Sequence, residues 1–211
     1  MRNRVTEEAE PPGPKAARGR TSSRHAILEA AVSVFERDGY QSTSIDDIAE
    51  AAGVSRRTVY HHFKAKNDIL VAATLEQAHL FLEELKRTVP PLDDFPSFVV
   101  ESLCFVIRNA PASRFFMLQM ARGVGMESAT IYFKDKALMG EWMDHFREPY
   151  IEALRRGQIN PAIELRELLT WFGRIATSFL QYPASGEGEP RAMLETFVAG
   201  ALRYRAPGAS K

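Results

Sequence analysis

The chain has 211 residues, 45% of them hydrophobic, enough to bury a sizeable core, so disorder throughout is excluded. Lys plus Arg and Asp plus Glu stand at 27 each, so affinity for a polyanion has to come from where charges sit and not from their sum. A single cysteine, Cys104, excludes an internal disulfide and a four-thiolate zinc site, and no apolar run approaches the ~20 residues that cross a bilayer.

With no apolar run after Met1, a soluble cytoplasmic protein without a membrane partner is expected. Residues 1–22 carry Pro11, Pro12, Gly13, Pro14 and Gly19 among Lys15, Arg18 and Arg20, with nothing to pack, and read as a mobile basic arm. From Ser23 the periodicity turns helical: Ile27, Ala30, Ala31, Val34 and Phe35 recur at spacings of three and four, and Gly39 supplies a left-handed stop. A second short helix starts after Ser44, with Asp47 three residues on in a capping-box position, and ends before Gly53. Ser55 caps a third, Arg56 to His62, closed by Phe63. A long helix from Asn67 to Thr88 follows, stopped by Pro90 and Pro91. The rest also reads as helix between prolines, among them Pro149. Asn160 and Pro161 are expected to open a helix through Leu165, Leu168, Phe172 and Phe179, and a last helix is expected from Pro190 to Tyr204. No period-two alternation is found, so the fold class is all-α, with units at residues 23–66 and 67–211.

Two short helices joined at Gly53 have the layout of a helix-turn-helix, whose second helix enters a major groove. At 100° per residue, Val59 and Phe63 share one side of the third helix, and Arg57 and His61 lie nearly opposite, flanked by Thr58 and Tyr60. From Ser55 to Lys66 there are basic residues at Arg56, Arg57, Lys64 and Lys66 and no acid, so this stretch can neutralise phosphates although the whole chain is neutral. The competing role of Arg56 and Arg57 is a solvated helix face. His61 and His62 are adjacent, so they point about 100° apart and do not make a metal site. No metal and no cofactor are expected.

The run from Ser44-Ile45-Asp46-Asp47-Ile48-Ala49 through Gly53-Val54-Ser55 to Thr58-Val59-Tyr60-His61-His62-Phe63-Lys64-Ala65-Lys66 resembles the amino-terminal domain of the tetracycline-repressor (TetR) family. The likeness reaches back to Phe35 and Gly39-Tyr40 and forward to Ile69 and Leu70. It implies a three-helix DNA-binding domain joined by the long helix to a helical ligand-binding and dimerisation domain. It also implies a homodimer acting as a repressor that a small molecule releases. Carried over residue by residue, Arg56, Arg57, Thr58 and Tyr60 match positions that touch bases. Thr43, Ser44, Tyr60, His61, His62 and Lys66 match positions that hold phosphates. Asp46 departs from members that place a base-reading arginine there; an acid repels phosphate, so helix two is given no base contact.

In the larger unit, Phe105, Phe116, Met120, Met139, Trp142, Met143, Phe146 and Trp171 give the aromatic and methionine-rich interior suited to a hydrophobic or amphipathic effector, although core packing explains the same residues. Gly123 and Gly125 suggest a break between helices. Phe172, Ile175, Phe179, Leu194, Phe197, Val198 and Ala201 are candidates for a two-helix dimer interface, burial within one chain being their competing role. The expectation is a repressor on a palindromic double-stranded operator. The alternatives are an activator of the same fold, a non-specific architectural DNA binder, which the neutral charge argues against, and a helical enzyme, for which no nucleophile–base pair or phosphate loop is found.

Overall fold

The computed structural model describes residues 14–121, 135–182, 186 and 189–203, with side chains from Ser23 onward apart from those of Phe115, residues 119–121 and Glu189. In chain order the elements are α1 (Pro14–Asp38), α2 (Ile45–Ala51), α3 (Arg56–His62), α4 (Lys66–Thr88), α5 (Phe95–Asn109), a 3₁₀ turn (Ala110–Ala112), α6 (Arg114–Ala121), α7 (Lys136–Arg155) and α8 (Leu165–Gln181). The last helical run is α9 (Glu189–Met193), a π-helical stretch (Leu194–Ala199) and α10 (Gly200–Leu202). Among the described residues there is no strand, and Ile159 and Arg203 meet in one isolated bridge. No described helix is long and apolar enough to cross a membrane. The fold is all-α.

The chain divides into two compact units, Met1–Ala73 and Thr74–Lys211, and the division falls within α4. In the first, α1 buries Ile27, Leu28, Ala31, Val34 and Phe35, α2 buries Ile48 and Ala49, α3 buries Val59, and the start of α4 buries Ile69 and Leu70. Helix α1 begins at Pro14, so it runs back into the residues expected to be an arm. Proline is favoured at a first helical position, where its missing N–H costs nothing, and Ala16 and Ala17 follow as good helix formers. The arm's residues 1–13 lie outside the described residues.

In the second unit one cluster gathers Phe81, Leu82 and Leu85 of α4, Phe95, Phe98 and Leu103 of α5, Phe146 of α7, Leu168 and Phe172 of α8, and Leu194, Val198 and Leu202 of the last run. Its centre is aromatic: the Phe98 and Phe146 rings lie 4.8 Å apart, and Phe172 meets Phe146 at 5.9 Å and Trp142 at 5.6 Å. Pro149 sits inside α7 and does not end it. Proline removes one helical N–H, but Phe146 and Ala153 on either side are fully buried, and that packing carries the helix through.

Asn160 and Pro161 do not open α8, which starts at Leu165 behind Glu164. Instead α7 ends at Gly157 (φ 63), and the Asn160 side chain accepts a hydrogen bond from the Ala162 amide at 2.9 Å, an Asx turn that leads the chain across. Tyr150 closes the same loop by donating to the Ile163 carbonyl at 2.7 Å.

Candidate nucleic-acid interface

Local sequence builds the helix-turn-helix. The Ser44 hydroxyl accepts from the Asp47 amide (3.2 Å), and the Asp47 carboxylate accepts from the Ser44 amide and hydroxyl (2.7 Å each), a complete capping box. Those hydrogen bonds from Ser44 hold the Asp47 carboxyl below its ordinary pKa. At the other end of α2, Gly53 takes φ +64, its amide donates to Glu50, and the Val54 amide reaches back to Ala49 at 3.0 Å. This double closure satisfies carbonyls that the end of a helix leaves open, and glycine adopts its left-handed angle without steric cost. Two residues after Gly53, Ser55 caps α3 by accepting from the Thr58 amide at 3.1 Å, and the Ser55 and Thr58 hydroxyls pair at 2.8 Å.

Burial fixes the orientation of α3 within this unit. Val59 is 0% and Phe63 6% exposed, so the apolar side faces inward. Arg57 and His61 then lie exposed on the opposite side, and Tyr60 is 44% exposed on the flank. Arg57 has no hydrogen-bond or ion-pair partner among the described residues. Thr58 and His62 are half-buried, and the His61 and His62 rings meet edge to face at 5.4 Å.

Arg56 is differently placed. Its Nη1 donates to Asp46 Oδ2 at 2.5 Å, its guanidinium lies 5.5 Å over the Tyr60 ring, and its Nη2 reaches the Tyr60 hydroxyl at 3.4 Å. The Tyr60 hydroxyl and then the Asp46 charge raise its pKa further, so it stays a cation. The Asp46–Arg56 pair joins α2 to α3 across the turn, ten residues apart. Arg56 and Tyr60 share a helix face at a spacing of four, which the sequence predicts; the pairing with Asp46 needs the angle between the two helices.

Two of the expected phosphate ligands, Thr43 and Lys66, bond to the loop after α1. Thr43 is 3% exposed, and its hydroxyl donates to the Gly39 carbonyl at 2.8 Å. The Lys66 ammonium donates to the Tyr40 and Thr43 carbonyls at 2.7 Å each and lies 4.4 Å over the Tyr40 ring. A lysine between carbonyls past the end of α1 neutralises their partial charge, and Lys66 is half-buried in doing so. The exposed Ser44 hydroxyl is engaged in its cap. Arg24, on α1, lies 5.4 Å over the Phe63 ring.

The candidate effector residues are found at several levels. Phe105, Met139 and Phe146 are buried, Phe116, Trp142 and Met143 are half-buried against the same core, and Trp171 is 40% exposed. The side chain of Met120, together with Gly123 and Gly125, lies outside the described residues. Trp171 lines an apolar groove of about 250 Å³ with Ile163, Leu168, Ala201 and Leu202, so it faces the surface and not the aromatic centre. His145 is set edge to face against Phe98 at 5.4 Å and Phe146 at 5.1 Å, and its buried Nε2 has no hydrogen-bond partner among the described residues. Burial, then the nearby Lys86 charge, push its pKa down, so the ring is neutral. No sequence pattern marks His145, because its neighbours come from α5 as well as α7.

Of the interface candidates, Phe172, Leu194 and Val198 are buried within the unit's own core, Ile175 and Phe179 are half-buried, and Ala201 is exposed. Phe197 is 67% exposed.

Residues 27–73 match the family described as bacterial regulatory proteins, tetR family, the stretch that holds the helix-turn-helix. The chain is 25% identical over 142 residues to the HTH-type transcriptional regulator UidR of Escherichia coli strain K12, covering 67% of this chain and 71% of that one. It is similar in structure to the transcriptional regulator FadR from Bacillus subtilis in complex with stearoyl-CoA (TM-score 0.56, 16% identity, 84% of this chain and 97% of that chain). It is likewise similar to RolR in complex with resorcinol (TM-score 0.62, 16% identity, 90% and 91%). At those identities the two structures speak for the fold, whereas the matched domain carries the sequence signature, with Ser44, Gly53, Ser55 and Phe63 in the roles just described. Residues 27–73 therefore form a regulatory domain of the tetR-family type, and the chain as a whole shares the fold of those two regulators.

Proposed function

We propose that this regulator is a repressor that binds a palindromic operator as a homodimer and leaves it when a small hydrophobic or amphipathic effector occupies the second unit. The observation that carries the reading is α3: a short rod held from below by Val59 and Phe63, with Arg57, Tyr60 and His61 exposed above and no acid on the rod itself. An arginine fork matches guanine O6 and N7, and a tyrosine or histidine on the flank can hold a phosphate. Arg57 is the leading base reader, with Thr58 and Tyr60 beside it. His61, His62 and Tyr60 are the phosphate ligands. Ser44 contributes at the start of α2, and Thr43 and Lys66 hold the loop from which α2 starts.

Support for the effector comes from the aromatic centre around Phe98, Trp142, Phe146 and Phe172, and from His145, whose unpartnered Nε2 suits a ligand with one hydrogen-bonding group on an apolar body. FadR in complex with stearoyl-CoA and RolR in complex with resorcinol are proteins of like fold, each with a ligand that has polar groups on an apolar part. Exposed Phe197, and exposed Trp171 with Ala201 in its groove, support a contact with a second copy, and two reading heads double the phosphate contacts. The effector acts by binding one spacing of the heads better than another, a coupling of about 1 to 3 kcal/mol.

The test is a gel-shift and footprinting series on the DNA upstream of the protein's own gene. A salt-sensitive, two-fold symmetric footprint that disappears with Arg57→Ala and Tyr60→Ala is expected. Binding that ignores both substitutions would refute the reading, and transcription that rises when the footprint is filled would turn the repressor into an activator.

A further inference from the structure

We propose that Asp46 is a positioning residue of the reading head: it holds Arg56 against Tyr60, withholds that guanidinium from phosphate, and so sharpens the preference for operator over other DNA. The inference rests on the reading of α3 as the DNA-contacting helix and adds to it a residue of α2 that makes no base contact. Both partners are on the surface, with side chains 59% exposed each, so the pair is not a piece of core, and it stands at the start of the helix offered to DNA. Arg56 has three simultaneous partners, the Asp46 carboxylate, the Tyr60 ring and the Tyr60 hydroxyl, whereas its neighbour Arg57 has none among the described residues.

Binding to non-operator DNA is carried almost wholly by neutralised phosphates. A guanidinium already paired with a carboxylate contributes little to it, and moving that guanidinium to a phosphate would leave Asp46 unpaired beside a polyanion. On the operator the base contacts of Arg57 are added, and they do not draw on Arg56. The pair therefore weakens non-specific binding more than specific binding.

Asp46→Asn keeps the side-chain shape and releases Arg56. Equilibrium binding of the full chain is measured between 50 and 200 mM salt on a random-sequence duplex and on the upstream DNA. Each additional phosphate contact steepens the log–log salt slope by about 0.9, so a dimer gains about 1.8. Affinity for the random duplex is expected to rise on the order of tenfold at the low-salt end, with the operator-to-random ratio falling accordingly. Glu50→Gln removes the same charge one turn further along the same face of α2, where no ion-pair partner is present among the described residues, and is expected to leave the slope unchanged. In an Arg56→Ala background, Asp46→Asn is expected to have no effect on the slope. Equal slopes for wild type and Asp46→Asn, an equal effect from Glu50→Gln, or an effect that survives Arg56→Ala would overturn the proposal. If the wild-type chain binds no duplex in a salt-dependent way, the reading of α3 itself fails, and this inference with it.

Discussion

The two units share local helix caps and differ in how many side-chain bonds they add between distant parts of the chain. In the first, most are met within a few residues: Ser44 with Asp47, Ser55 with Thr58, and Asp68, whose carboxylate accepts from the Ala65 amide at 3.1 Å ahead of α4. The second closes its helix starts just as locally, Asp94 with Ser97 and Asp135 with Leu138, and adds side-chain bonds between residues far apart in the chain. Gln158 donates to the Asp93 carbonyl at 3.0 Å, Arg191 reaches Glu101 at 2.7 Å, Arg203 reaches Asp94 at 3.3 Å, and His79 pairs with Glu141 at 2.9 Å. Local closure makes a small rigid rod whose exposed face is set by helical periodicity, which suits reading a regular duplex. Distant closure ties separate helices together around an aromatic centre, so its geometry can change when the helices shift.

The difference can be broken or sharpened by substitution. The largest effect is expected from Phe63→Ala, which removes the buried ring beneath α3 at a cost of about 3 kcal/mol. Hydrogen exchange should show the loss confined to the first unit, and protection lost equally in both units would mean they do not respond separately. Next, Arg57→Ala is expected to weaken discrimination of the operator by about 1 to 3 kcal/mol while the melting temperature stays at the wild-type value. A matching loss of stability would show that the arginine supports the fold instead.

Gly53→Ala and Gly157→Ala test whether the same local device serves both units, because each glycine ends a helix at φ above 60° and is followed by the same pair of backbone closures. Each is expected to cost about 1 to 2 kcal/mol in chemical denaturation. Unequal costs would show that one of the turns is held by its surroundings.

The smallest effect is that of Ser44→Ala, about 1 kcal/mol, as for other helix caps. It carries a pH signature. The Asp47 carboxyl is held below its ordinary value by the Ser44 hydroxyl and amide, so it stabilises the folded state fully above the ordinary aspartate pKa of about 4. That contribution is lost as pH falls through the lower folded pKa. The gap in stability between wild type and Ser44→Ala should therefore narrow in acid, and a gap constant from pH 7 to pH 2 would remove Asp47 from the account.

Caps, turns and faces were legible in the residues. Ser44, Asp47, Gly53, Ser55 and Phe63 stand where the spacing predicts, and α3 has the expected bounds, since each depends on atoms only three or four residues apart. The helix expected from Asn160 was not legible in the same way: an Asn-Pro pair opens a helix or an Asx turn equally well, and Tyr150, bonding across to Ile163, accompanies the turn. Lys66 and Thr43 match family positions that hold phosphates, and that match says nothing of their partners within the chain. Here their partners are carbonyls of residues 39 to 43, which helical periodicity cannot bring to Lys66.

The order of residues alone dictates an all-helical chain, the inward side of each short helix and the capped turn between them, because propensity, periodicity and capping act over one helical turn. Three-dimensional packing alone decides that Asp46 takes Arg56, that Phe172, Leu194 and Val198 lie inside the second unit while Phe197 is left outside, and that the His145 Nε2 is buried with no hydrogen-bond partner among the described residues. Those outcomes depend on the angles at which helices cross, and such angles arise from contacts among side chains distant in the chain, summed over the whole core.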